Sequence, residues 1–355
     1  MVFNCREEKE VEKRQMNWLY SLRCIGIFLI VYGHTIQYGV INKYFYSFHV
    51  PLFVFCSGLV FSNNTSLGQK LKKRTVKLLI PYLFFAFASI LIFQVVSAIG
   101  IGNLSADRVS GTLPEQILQV FTGYCDSNGP LWFIPTLILI EIMAFLCCYI
   151  WDNLSINSTA VKFASVVALS AGWIVLNKKV FAINNSLFNF EAGINLLLFF
   201  MVGYLFKDKL YGVNNQKNIS DKKRILSAVV MIVGGFLLSQ MNGYVGYLGN
   251  YYGNTVLYIC SALLSIGGVF LVSVYFEKIA FTNYIGKRTL AILLMHKFPI
   301  LFFQLLFPHI KNKMTVLGVV ATIASVMLCL MADWILNTFI YKHFYARGKR
   351  SGKKV

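Results

Sequence analysis

Acidic residues are scarce in this chain. Its 355 residues include 14 Asp and Glu against 33 Lys and Arg, and charged residues of both signs make up only 13%. Soluble domains carry about 25%, so a water-soluble globular fold is excluded. The sequence also lacks an HExxH run and any Cys/His pair at ligand spacing, which argues against a metal site. It has no glycine-rich phosphate loop, no internal repeat and no heptad pattern. Its eight cysteines form no disulfide framework. Cys24, Cys56, Cys147, Cys148, Cys260 and Cys329 fall inside apolar runs, Cys5 lies in a charged amino-terminal stretch, and only Cys125 is expected in an outer loop. No cleavable signal peptide is expected, because Met1–Gln15 is highly charged and no small-residue cleavage site follows the first apolar run.

What remains is 57% hydrophobic, with 31 Phe and 19 Tyr. That composition predicts an all-α polytopic membrane protein. About ten transmembrane helices are expected, near 16–38, 44–61, 76–99, 131–151, 160–177, 190–206, 225–241, 254–275, 289–307 and 315–340. Residues 1–15 form an expected cytoplasmic tail, 16–340 the membrane domain and 341–355 a basic cytoplasmic tail. The net charge of +19 raises nucleic acid as a partner, but cytoplasmic loops of membrane proteins are enriched in Lys and Arg. With the amino terminus inside, the clusters Lys70–Lys77, Lys207–Arg224, Lys278–Arg288 and Lys342–Lys354 all fall on one side. Both termini are therefore expected in the cytoplasm, with membrane lipid and not nucleic acid as the surroundings.

Polar groups inside apolar helices are costly and mark function. Three of them, Arg23, His34 and His49, sit in the hairpin at 17–61. Arg23 and His34 are 11 residues apart, about three turns, so they share one helix face. A hairpin brings His34 and His49 to similar depth near one membrane surface, with Arg23 roughly 16 Å along the axis toward the other. Glu141 is a lone carboxylate in the fourth segment, with Arg23 or a histidine as its expected partner. Asp333 and Glu141 are the carboxylates weighed as partners for His296, for which packing is the preferred role. The outer connector at 100–130 carries Asp107, Arg108, Glu115 and Asp126 and ends in Asn128-Gly129-Pro130. The connector at 242–253 carries four tyrosines and no charge, which suits either sugar stacking or a membrane interface.

Arg23 before Gly33-His34, then Phe48-His49-Val50-Pro51-Leu52-Phe53 and Ser57-Gly58, resemble the opening of the acyltransferase-3 family of integral membrane O-acyltransferases. Leu131-Trp132-Phe133 and Ile285-Gly286-Lys287-Arg288-Thr289-Leu290 with His296 add to the likeness, most of all to its sugar O-acetylase branch. Tyr20 departs from the pattern, standing where the family often has an acidic residue. The resemblance implies transfer of an acyl group, acetyl in the first place, from cytosolic acyl-CoA to a hydroxyl of a surface polysaccharide or its lipid-linked precursor. O-antigen, capsule and exopolysaccharide are such acceptors. Acetyl-CoA would be a co-substrate and no cofactor would be held permanently.

On that reading His34 is the expected base, since a histidine titrates near neutral pH, and His49 is the second or assisting one. Arg23, Lys72, Lys73, Arg74 and Lys77 are expected to hold the anionic coenzyme, and Trp132 and Glu141 to line the substrate site. The location implied is the inner or plasma membrane. A transporter of a sugar- or acyl-linked substrate is the alternative, against which stands the lack of repeated halves.

Overall fold

The computed structural model describes residues 2–63, 66–98, 111–181, 183, 186–215, 220–311 and 316–340. Among the described residues there is no strand beyond one antiparallel pairing of Gly246 with Tyr251. The helices run in order as α1 Val2–Thr35, α2 Val40–Leu59, α3 Leu67–Arg74, α4 Ile80–Ala98, α5 Leu113–Thr122, α6 Phe133–Asn153, α7 Thr159–Leu176 and α8 Phe190–Leu205. They continue as α9 Lys207–Asn215, α10 Asp221–Asn242, α11 Thr255–Ser273, α12 Ala280–Lys287, α13 Thr289–Met295, α14 Lys297–Leu306 and α15 Val316–Ile340. A π turn, Thr75–Leu79, joins α3 to α4, and a 3-10 turn, Asp126–Trp132, leads into α6.

Among the described residues seven helical segments are long and apolar enough to cross a membrane, or eight if the bent pair α13–α14 is counted as one span. α1 and α2 lie at the first two of the expected segments and stand outside that count. They carry the polar residues Arg23, His34, Asn42, Lys43 and His49, and much of their surface is enclosed by other helices. α2 is 20 residues long, about 30 Å, the thickness of a bilayer core. The apolar surface is turned outward on α4, α7, α10 and α15, as at Phe84, Val161, Leu226 and Val320, where lipid tails can cover it.

α2 is packed most closely on α8, and glycine allows it. A Cβ on Gly58 would collide with the Phe200 carbonyl, and one on Gly203 with the Phe55 carbonyl. Small residues at such crossings let two backbones meet directly. α8 is enclosed as a result, with Leu196 to Met201 almost wholly buried. The same device joins α1 to α12, where a Cβ on Gly286 would strike the Tyr20 carbonyl. Lys287 then lies 5.0 Å over the Tyr20 ring.

Two expectations are corrected. The 100–130 connector is not all loop, because α5 lies within it. Thr112 and Glu115 form a capping box at its start, with a proline in the first turn. The ninth segment is not one helix but breaks between α13 and α14 with a 47° bend. Pro299, third residue of α14, has no N–H for the Met295 carbonyl and its ring crowds that group. The helix that holds the first expected segment extends back to Val2. Cys125 is buried, its thiol near Ser127, and the seven cysteines whose side chains are described are free. Asp107, Arg108, Lys342–Lys354 and the side chain of Lys70 lie outside the described residues.

Candidate active site

A cavity of about 190 Å³ opens between the end of α1, the start of α2, the 3-10 turn before α6 and the α10–α11 connector, and His34, Tyr46, His49, Pro130, Trp132 and Tyr247 line it. Gly33 is what lets α1 and α2 close around it. A Cβ there would come 2.9 Å from the Tyr46 ring, and the Tyr46 hydroxyl instead donates to the Gly33 carbonyl at 3.4 Å. The Tyr46 ring lies 4.8 Å from His49 and 6.3 Å from His34, edge-on to both.

Pro51 explains the next contact. Lacking an N–H, it leaves the carbonyl four residues earlier, that of Ser47, without its helical donor. The Tyr247 hydroxyl lies 3.4 Å from this carbonyl and donates to that of Tyr46 at 3.2 Å. Burial pushes the Tyr247 phenol well above its ordinary range, so it stays a neutral donor. Trp132 stacks on Tyr247, ring centres 6.3 Å apart and planes 20° apart. Trp132 is thus a buried wall of the cavity.

Backbone carbonyls fix two of the three imidazoles. His49 Nδ1 lies 2.6 Å from the Phe45 carbonyl. A carbonyl can only accept, so the neutral ring carries its proton on Nδ1 and presents an unprotonated Nε2. His296 is held the same way, its Nδ1 3.0 Å and 2.9 Å from the carbonyls of Ile292 and Leu293. Its Nε2 is buried without a partner among the described residues. The His296 ring centre is 5.3 Å from that of His34. The Pro299 break puts it there, and Asn128 secures the approach by donating to the Leu294 carbonyl at 3.1 Å and to Ser89 Oγ at 3.2 Å. Gln304 of α14 donates to the His34 carbonyl at 3.1 Å and the Thr35 carbonyl at 3.3 Å, satisfying the open end of α1.

The cationic residues lie elsewhere. Arg23, half-buried, rests against the Cys56 thiol, and its charge reaches Tyr211 of α9. Tyr211, Lys207 and Asp208 line a polar cavity of about 580 Å³ at the far end of α2. Lys72, Lys73 and Lys77 are exposed. Arg74 grips Glu141 with a two-pronged contact, both oxygens at 2.6 Å. Glu141 is thus engaged by Arg74, and it does not line the histidine cavity. Asp333 pairs with Arg288 at 3.1 Å, not with His296. The sequence reading had no role for Tyr46, Tyr247 or Gln304 individually. Pro51 and the tyrosine-rich connector were the available signals for Tyr247. Nothing local marks Tyr46 or Gln304.

The family model described as an acyltransferase domain matches residues 16–334. No curated protein and no solved structure matches the chain. That match takes in α2 to α14 entire, most of α1 and α15, and all three imidazoles of the cavity region, and with it the chain belongs to the acyltransferase-3 family as a multi-pass membrane acyltransferase.

Proposed function

We propose that the protein moves an acetyl group from cytosolic acetyl-CoA to a hydroxyl of a cell-surface polysaccharide or its lipid-linked precursor, in the inner or plasma membrane. The observation that carries this reading is a cavity walled by His34 and His49, with His296 behind, lined by aromatic rings and set at one end of the helix bundle. The acceptor hydroxyl attacks the thioester carbonyl as His34 takes its proton. The tetrahedral intermediate collapses to the ester, and coenzyme A leaves as the thiol with that proton. His296 acts as a positioning residue. Its unprotonated Nε2 accepts the N–H of His34, directing the other His34 nitrogen to the cavity. At a ring separation of 5.3 Å two nitrogens come within about 3 Å after a small rotation, hydrogen-bond distance. His49 offers a second unprotonated nitrogen to the same space.

Both termini lie in the cytoplasm on this reading, so the coenzyme approaches the end of the bundle that holds Arg23, Lys207 and the exposed Lys72, Lys73 and Lys77. Arg23 draws the acyl-bearing arm inward, where a guanidinium suits an anionic ligand. Arg74, held by Glu141, shapes that entrance instead of binding phosphate. The test is the acetyl content of surface polysaccharide, by mass spectrometry or NMR, in cells lacking the gene, cells with it restored, and cells with His34→Ala at matched protein level. Acetyl that appears with the wild type and vanishes with His34→Ala supports the reading. Unchanged acetylation across all three, with a lipid-linked sugar moved intact, would favour a transporter.

A further inference from the structure

A second cavity, of about 210 Å³, adjoins the histidine cavity, and Gly249 borders both. Its walls are the turn Gly249–Gly253, Asn195 of α8, and Asn177 and Lys178 at the end of α7. The turn is pinned by reciprocal backbone bonds between Gly246 and Tyr251 at 2.8 and 2.9 Å and by Lys178, whose Nζ donates to the Gly253 carbonyl at 3.4 Å. Asn250 takes the left-handed conformation, φ 52°.

Asn195 is 2% exposed, set among the apolar residues of α8. Its amide lies near the Tyr252 hydroxyl, which donates to Asn250 Oδ1 at 3.3 Å. Asn195 Oδ1 and Asn250 Nδ2 are then left buried without partners among the described residues. A phenol hydroxyl gives one hydrogen bond and takes one. Asn195 Oδ1 is an acceptor and Asn250 Nδ2 a donor. Asn177 has no such spare group, because Ile183 engages both ends of its amide. Buried polar atoms left unsatisfied in a folded protein call for an explanation, and here they belong to residues that line a space of about 210 Å³. Tyr251, 58% exposed, stands at its rim.

We propose that this cavity is a sugar subsite for the acceptor, and it rests on the glycan reading above. It takes a pyranose ring with two neighbouring hydroxyls, one donating to Asn195 Oδ1 and the other accepting from Asn250 Nδ2, with Tyr251 against the ring face. The acceptor passes Gly249 and presents its reactive hydroxyl to His34.

The test uses the full chain in lipid nanodiscs and saturation-transfer NMR with methyl glycosides of common hexoses and 6-deoxyhexoses. At least one glycoside is expected to receive saturation from the wild type. Asn250→Gly, which keeps the left-handed backbone, and Asn195→Ala are each expected to reduce it at least fivefold. A glycoside lacking one of the two hydroxyls is expected to lose it as well. Thermal unfolding checks that both variants fold. No saturation of any glycoside by the wild type, or saturation undiminished in both variants, overturns the subsite. Acetyl transfer is followed in parallel. Sugar binding without transfer removes the transferase reading and leaves the subsite. Transfer with an acceptor KM unchanged in both variants removes the subsite and leaves the transferase.

Discussion

At the scale of single residues, the site is set by what backbone carbonyls do to imidazoles. The Phe45 carbonyl fixes the proton of His49, and those of Ile292 and Leu293 fix that of His296, so both rings present unprotonated Nε2 atoms. Removing a proton acceptor in general base catalysis costs roughly 10²–10⁴ in rate. His34→Ala should lower kcat by that much with KM for acetyl-CoA little changed. His296→Ala should lower kcat by about tenfold or more and shift the pH–rate profile, because His34 loses its orienting acceptor. A KM effect alone would show His296 to be packing. Tyr247→Phe removes the donor to the Tyr46 and Ser47 carbonyls. It should destabilise the protein by about 1 kcal/mol, the usual worth of one hydrogen bond, measured by thermal unfolding in detergent. Gly58→Ala is a harsher change, since a methyl would strike the Phe200 backbone. It should abolish folded protein at normal expression.

At the scale of elements, the hydropathic spans were legible because bilayer thickness dictates about 20 residues per crossing. The hairpin was legible because Arg23, His34 and His49 interrupt that pattern. The break at His296 was hidden by the apolar run 289–307, although Pro299 marked it. α5 was also hidden inside an apparent loop, although Thr112 and Glu115 spelled a capping box. The pairs His34–His296 and Arg74–Glu141 had no sequence signal, because 262 and 67 residues separate the partners and only tertiary packing joins them. Pro299→Ala restores a backbone N–H to the α13–α14 junction and should straighten the 47° bend. The expected outcome is at least a tenfold loss of transfer with thermal stability equal or higher, and full activity would remove the break from the mechanism. For the half-buried Arg74–Glu141 pair, a double-mutant cycle with alanine at each position should give a coupling on the order of 1–2 kcal/mol, read from unfolding and not from acceptor KM.

At the scale of the whole molecule, the polar features divide between the two ends of the bundle. The histidines, Trp132 and the tyrosine-rich turn gather at one end, and Arg23, Tyr211 and Lys207 toward the other. α1 and α2 run between them and are shielded by the apolar helices around them. This arrangement was legible only in outline, since a sequence gives the depth of a polar residue in its helix and not its neighbours on other helices. On the proposed orientation, donor and acceptor approach from opposite faces. In proteoliposomes of known sidedness, acetyl-CoA supplied on the face of the amino terminus should support transfer, and the same concentration on the other face should not.

The most direct measurement is acetyl transfer by the purified chain in nanodiscs, with thiol release from acetyl-CoA followed alongside acetyl on a glycan extracted from the producing cells. The account predicts glycan-dependent thiol release by the wild type and by a folded Tyr247→Phe variant. It predicts a loss of at least 100-fold in His34→Ala, in line with the removal of a general base. Transfer undiminished in folded His34→Ala would contradict it, because the cavity would then hold no essential base at that position.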